Sequence, residues 1–115
     1  MYLTRLICLI LLLAGLMTAC ISGDDDDATS DEERERAIAA ALDVYAEVAA
    51  RGDDLSHGPC IAEELEDVPG WSVDIAHDPR EPIDDDPANQ CQAYRNGQTQ
   101  HFVELTPDGT LIRAR

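Results

Sequence analysis

The sequence predicts an α+β domain in which a long N-terminal helix and a short second helix pack on a three- to four-stranded antiparallel sheet. Three observations carry that expectation. An alanine-rich stretch at 31–51 places apolar residues at helical intervals behind a capping serine. Residues 71–76 alternate, with Trp71, Val73 and Ile75 set against Ser72, Asp74 and Ala76. Asn96-Gly97 and Thr106-Pro107-Asp108-Gly109 are tight-turn signals between the closing apolar segments. Helical sequence first and antiparallel strands afterwards is the α+β order, with the long helix laid across one sheet face.

Each element has its own local cause. Ser30 followed three residues later by Glu33 reads as a capping box, and Asp31, Glu32 and Glu33 suit the positive end of the helix dipole. Ile38, Leu42, Tyr45 and Ala49 fall on one stripe, which predicts the buried face. Glu32 with Arg36 and Glu47 with Arg51 are favourably oriented i,i+4 pairs, and Gly52 suits the left-handed C-cap. A short helix is expected at Pro59–Glu66, where proline fits the first turn and Ile61, Leu65 and Val68 share a side. Val68-Pro69-Gly70 breaks the chain before the strand begun by Trp71. Residues 77–90 contain Pro79, Pro82 and Pro87 and read as a long exposed loop. Segments 90–95 and 98–105 flank Asn96-Gly97 as an expected type I′ hairpin, and a second turn leads into 110–114. Val103 and Leu105 favour one sheet face and Phe102 and Ile112 the other, so both faces are expected to be partly covered.

The first nineteen residues are not part of that domain. Arg5 is the one charged side chain before Leu6–Met17, a run without a polar side chain, and Met17-Thr18-Ala19-Cys20 closes it. A basic start, an apolar core and a small-residue cleavage site make a secretory signal. With cysteine directly after the small pair, the segment resembles a prokaryotic lipoprotein signal, with Met17 at the usual leucine position of the lipobox. The resemblance implies that Cys20 becomes the first mature residue and carries a thioether-linked diacylglycerol, with an acylated amine. Two or more acyl chains make a stable membrane anchor. A plain secretory signal is the rival reading. A transmembrane helix needs ~20 apolar residues, and here Gly23 and Asp24–Asp27 follow too soon. The chain therefore divides into a signal peptide at 1–19, an acidic flexible tether at 20–30 and a small domain at 31–115. Four consecutive aspartates repel one another and keep the tether extended.

From Asp31 onward there are nineteen Val, Ile, Leu, Phe, Tyr or Trp residues, enough for one small core. Acidic residues number 24 against 8 basic ones, all arginine, for a formal net charge of −16. That balance argues against nucleic acid and against anionic lipid headgroups as partners, since both require basic patches. Adaptation to high salt and a codon bias toward arginine are both compatible with it. Cys8 leaves with the signal and Cys20 takes lipid, which leaves Cys60 and Cys91. In an extracytoplasmic domain such a pair forms a disulfide, and closing this loop contributes about 3.5–4 kcal/mol on the chain-entropy argument. Zinc held by His57, Cys60, Cys91 and His101 is the alternative use of the same thiols.

Catalytic motifs are scarce. Ser22, Ser30, Ser56 and Ser72 lie in no nucleophile elbow, and no phosphate loop or dinucleotide fingerprint occurs, so no cofactor is expected. The most functional-looking stretch is the 77–90 loop. His77, Asp78 and Arg80 place an imidazole, a carboxylate and a guanidinium at a strand end, and Asp84, Asp85 and Asp86 follow. The bland reading is a proline-stiffened connector whose Arg80 pairs with neighbouring aspartates. The sequence thus points to a small lipid-anchored cell-envelope lipoprotein, extracytoplasmic on the cell membrane or outer membrane, acting as a binding module. Its expected partners are the membrane, through the lipid on Cys20, and another envelope protein. The alternative is a small envelope hydrolase or divalent-cation-binding protein using His77, Asp78, His101 and loop carboxylates.

Overall fold

Helix α1 spans Asp31–Ala50 in a computed structural model that describes residues 30–115. The signal-like segment, the lipobox with Cys20 and the tether through Thr29 lie outside the described residues. Ser30 Oγ accepts the Glu33 N–H at 3.1 Å, as the capping signal predicts. The Glu33 carboxylate does not turn back to the cap; it accepts the Trp71 indole N–H at 2.9 Å and ties the first turn to the sheet. At the far end Gly52 adopts φ 77° and ends the helix in the left-handed conformation.

The buried face of α1 is rotated by about one residue from the predicted stripe. Ala37, Ala41 and Val48 are buried, with Ile38, Val44 and Tyr45 partly covered, while Leu42 is exposed. Alanine explains the shift: with only a Cβ to accommodate, the backbone approaches the large sheet residues closely. The expected i,i+4 pairs give way to Arg34–Asp31 and Arg51–Asp53, both exposed and of little energetic weight.

Four strands form one sheet in sequence order: β1 (Cys60–Ala62), β2 (Trp71–Ile75), β3 (His101–Leu105) and β4 (Leu111–Ala114). The α+β class, the long helix and the Cys60–Cys91 disulfide are as the sequence predicts. The sheet, however, is mixed. β1 and β4 run antiparallel to their neighbours, but the central β2 and β3 are parallel, with Trp71 opposite His101 and Ile75 opposite Leu105. Parallel neighbours require a crossover of a dozen or more residues, and 76–100 supplies it.

That crossover overturns two predicted elements. Residues 90–95 are not a strand: Gln92–Arg95 form a short helix, α2, which follows Cys91 as N-cap. Two donors at its start, the N–H groups of Gln92 and Ala93, are accepted by the Glu63 carboxylate at 3.2 and 2.8 Å. Asn96 is then the C-cap and Gly97, at φ 81°, takes the left-handed position after it. The same Asn-Gly pair that signals a type I′ hairpin serves here as a helix terminator, because both uses need positive φ. Pro59–Glu66 is likewise not a helix. Its start is the edge strand β1, where the Pro59 carbonyl accepts the Ile75 N–H and Leu65 N–H donates to Trp71. Pairing with the open edge of β2 outweighs local helix preference, and a proline is tolerated at a strand's start.

Both sheet faces are covered, by different means. Trp71, Val73, Ile75, Val103 and Leu105 are fully buried on the α1 side with Leu55, Leu65 and Val68. Ser72, Asp74, Phe102 and Glu104 face the other way, toward the crossover. The 106–109 turn closes as expected, with Gly109 N–H donating to Thr106 O. It docks on α1 through the Tyr45 hydroxyl, which donates to Pro107 O at 3.0 Å.

Candidate ligand-binding cleft

On the crossover side, one register row crosses the whole sheet: Cys60 pairs with Asp74, Asp74 with Glu104, and Glu104 with Arg113. Residues in register on neighbouring strands project to the same face, so two carboxylates and a guanidinium stand side by side. Above them α2 and the start of the crossover leave a cleft of about 420 Å³, in the range of small-molecule sites. Its floor is Ser72, Asp74, Phe102 and Glu104, and its rim includes Tyr94, Arg95 and Arg115.

Glu104 is 5 % exposed and fully engaged. Arg80 Nη1 donates to Oε1 at 3.1 Å and Arg113 Nε to Oε2 at 2.5 Å. The Asp85 carboxylate and the Asp84 carbonyl hold Arg80 in turn. Asp74 lacks such partners. Its Oδ1 is buried with no hydrogen bond, and burial, with the Glu104 charge adding to it, pushes the carboxyl up to about 7 from 3.8. The floor therefore pairs a carboxylate clamped between two guanidiniums with a carboxyl that holds its proton to near neutrality.

Arginine is concentrated here. Of the described arginines, Arg34, Arg36 and Arg51 lie on or at the end of α1, whereas Arg80, Arg95, Arg113 and Arg115 all line the cleft. Arg113 and Arg115 lie over the Phe102 ring at 5.4 and 5.3 Å, and Tyr94 meets the same ring edge-on at 4.9 Å. Arg95 donates to Gln90 Oε1 at 2.7 Å. Among the described residues no carboxylate forms an ion pair with Arg95 or Arg115. In a chain of net charge −16 this is a positive island.

Of the loop residues singled out by sequence, Arg80 lines the cleft, and the others lie elsewhere. His77, Asp78 and Arg80 line a second hollow together with Glu81, Thr106, Pro107 and Asp108. Asp84 is 2 % exposed and acts as the loop's internal clamp. Its Oδ2 accepts the His77 and Glu81 N–H groups at 3.0 and 2.9 Å, and its Oδ1 meets His77 Nδ1 at 2.9 Å. Burial alone would raise Asp84, but those hydrogen bonds outweigh it and hold the carboxyl below its usual range. The same bond holds the His77 imidazole above its ordinary value, against the opposing effect of burial. The His77 contribution is thus complete at low pH and lost as pH rises through its raised value. That of Asp84 is lost as pH falls through its lowered value, so the clamp is tightest between the two. Asp86 accepts the Ala88 N–H at 3.0 Å and Asp85 pairs with Arg80, so these side chains also close the loop on itself.

His77 and His101 are not brought together. His101 stacks on Trp71 at the start of the parallel pair, 4.8 Å between centroids, while His77 follows its other end, roughly 20 Å along the strands. The zinc set is dissolved as well, because Cys60 and Cys91 are joined to each other. The cleft residues that sequence reasoning passed over are Asp74, Glu104, Tyr94, Phe102 and the arginines 95, 113 and 115. Asp74 and Glu104 sit at outward positions of alternating strands and so read as solvated. The available signal was Phe102, an aromatic on the same outward face, which requires a cover. No protein-family model matches the sequence, and neither curated proteins nor solved structures give a match.

Proposed function

We propose that this chain is a lipid-anchored envelope protein, held through Cys20, whose domain binds a small anionic ligand in the cleft between α2 and the sheet. The observation that carries the ligand's charge is the convergence of Arg80, Arg95, Arg113 and Arg115 on one cavity of an otherwise acidic chain. Two of them lack a carboxylate partner among the described residues, and guanidinium forks suit carboxylates and other oxyanions. A concave seat with a polar floor and aromatic walls is the form small-ligand sites take. The 77–90 loop supports this seat through Arg80 rather than offering a free surface, since His77, Arg80 and Asp84 are bonded into the frame. A second reading, acid–base hydrolysis, draws on Asp74, whose carboxyl titrates near neutrality in a cleft. Turnover abolished in Asp74→Asn with ligand affinity retained would favour it.

Two measurements test the proposal. The anchor depends on Met17-Thr18-Ala19-Cys20, so Cys20→Ala is expected to abolish acylation and shift the protein from the membrane fraction. An unmodified Cys20 in the mass spectrum of the mature wild-type chain would sink the anchor. The seat depends on the unpaired arginines, so replacing both Arg95 and Arg115 with alanine should weaken retention of small anions by roughly tenfold or more. Both side chains are exposed, and the melting temperature should stay close to that of the wild type. Equal anion binding by wild type and double variant would place the site elsewhere.

A further inference from the structure

We propose that the ligand is a carboxylate carried on a small apolar body, and that it docks together with one proton held on Asp74. This deepens the reading of the cleft as an anion seat and rests on it. The geometry begins with an imbalance in the floor. Glu104 has a guanidinium on each oxygen, whereas Asp74, its neighbour in the register row, has an orphaned buried Oδ1. An ionised carboxylate with an unpaired oxygen away from water is strongly disfavoured. The same group as a neutral carboxylic acid is a hydrogen-bond donor that lines a cavity, and a donor there seeks an acceptor.

The surroundings say which acceptor fits. Glu104 faces Asp74 from β3, Arg80 and Asp84 face it from the crossover, and Arg113 of β4 bears on it through Glu104. On the α2 side stand Cys91, oxidised in the disulfide, with Tyr94 and Arg95, while Gln90 and Arg115 complete the lining. With Asp74 protonated, the four guanidiniums of the lining face the carboxylates of Glu104, of Asp85 on Arg80 and of Asp84 behind it, so a positive excess remains. A ligand ammonium would enter that field at a disadvantage, whereas a carboxylate is drawn into it. One carboxylate oxygen can take the Asp74 proton while the other meets Arg95 or Arg115. The apolar body then lies along Tyr94, which is 42 % exposed, and the rim of Phe102. The proton comes from solvent, and no bond other than hydrogen bonds forms.

The choice between a carboxylate and a zwitterion has opposite pH signatures. A carboxylate needs the neutral Asp74, so its affinity rises as pH falls through about 7. An amino acid, placing its ammonium against Asp74, needs the ionised form, so its affinity would rise with pH. Titration calorimetry of the full chain with benzoate, which stays ionised across the window, and with phenylalanine separates them. Benzoate is expected to bind roughly thirtyfold tighter near pH 5.5 than near pH 8.5, with uptake of about one proton at pH 8.5 and almost none at pH 5.5, seen by comparing buffers of different ionisation enthalpy. Asp74→Asn keeps a donor at the position and cannot titrate. Its benzoate affinity should match the low-pH wild-type value at both pH values, and proton uptake should vanish. The wild-type buffer comparison stands on its own if that variant folds poorly. Phenylalanine binding that strengthens above neutrality, or benzoate binding at pH 8.5 without proton uptake, would overturn the inference and leave the anion seat intact. Neither probe binding, with the arginine pair also without effect, would instead remove the seat itself.

Discussion

Replacing Cys91 with serine is expected to destabilise the domain by about 3.5–4 kcal/mol, from loss of a cross-link between residues 31 apart. For a domain of this size that corresponds to a fall of on the order of 15–25 °C in melting temperature. The bridge does more than restrain the unfolded chain. It joins edge strand β1 to the N-cap of α2, so it holds one wall of the cleft against the sheet. Thermal melts followed by circular dichroism, with and without reductant, measure the effect, and the Cys60→Ser/Cys91→Ser pair should match the single variant. Coincident melts under both conditions, together with free thiols in peptide mapping, would show that the bridge is absent from the folded protein.

Gly58→Ala is expected to be strongly destabilising, at roughly 2–4 kcal/mol. Gly58 sits at φ 71°, and an added Cβ would lie 2.6 Å from Asp84 Oδ1 and 3.0 Å from the Ile75 carbonyl. The carboxylate cannot swing aside without releasing the His77 and Glu81 N–H groups it accepts. Gly52→Ala is the control, because Gly52 has the same left-handed backbone but open space around it. It should cost about 1 kcal/mol. Chemical denaturation of the two variants compares them directly, and equal losses would mean that Asp84 does not clamp the loop as described.

Local chemistry made part of this fold legible and hid the rest. Helix α1, the Trp71 strand and the 106–109 turn each follow from signals contained in a few neighbouring residues, and the disulfide from the small number of cysteines left to pair. What was not legible is which distant segments pair. Pro59–Glu66 has helix-compatible spacing, yet the unpaired edge of β2 recruits it as a strand. Asn96-Gly97 is a correct positive-φ signal attached to the wrong element, because the helix before it depends on Glu63, some thirty positions upstream. That single reassignment turns an antiparallel hairpin into a crossover and makes the sheet mixed. The cleft was hidden for the same reason. Asp74 and Glu104 look solvated until the crossover is laid over them, and the arginines gather only once β3, β4 and α2 are assembled.

The parallel pairing of β2 with β3 also sets how fast this domain can form. Trp71 and Val103, central to the core, belong to strands whose partners in register lie thirty positions apart. The contacts of β3 with β4 close over a short turn by comparison. The β3–β4 hairpin and α1 can therefore assemble early, while the core waits on closure of the 76–100 crossover and the ordering entropy that closure demands. A chain in which Cys60 and Cys91 are already joined has that closure half made. Oxidation of the pair would thus act as a clock on folding as well as a brace on the finished domain.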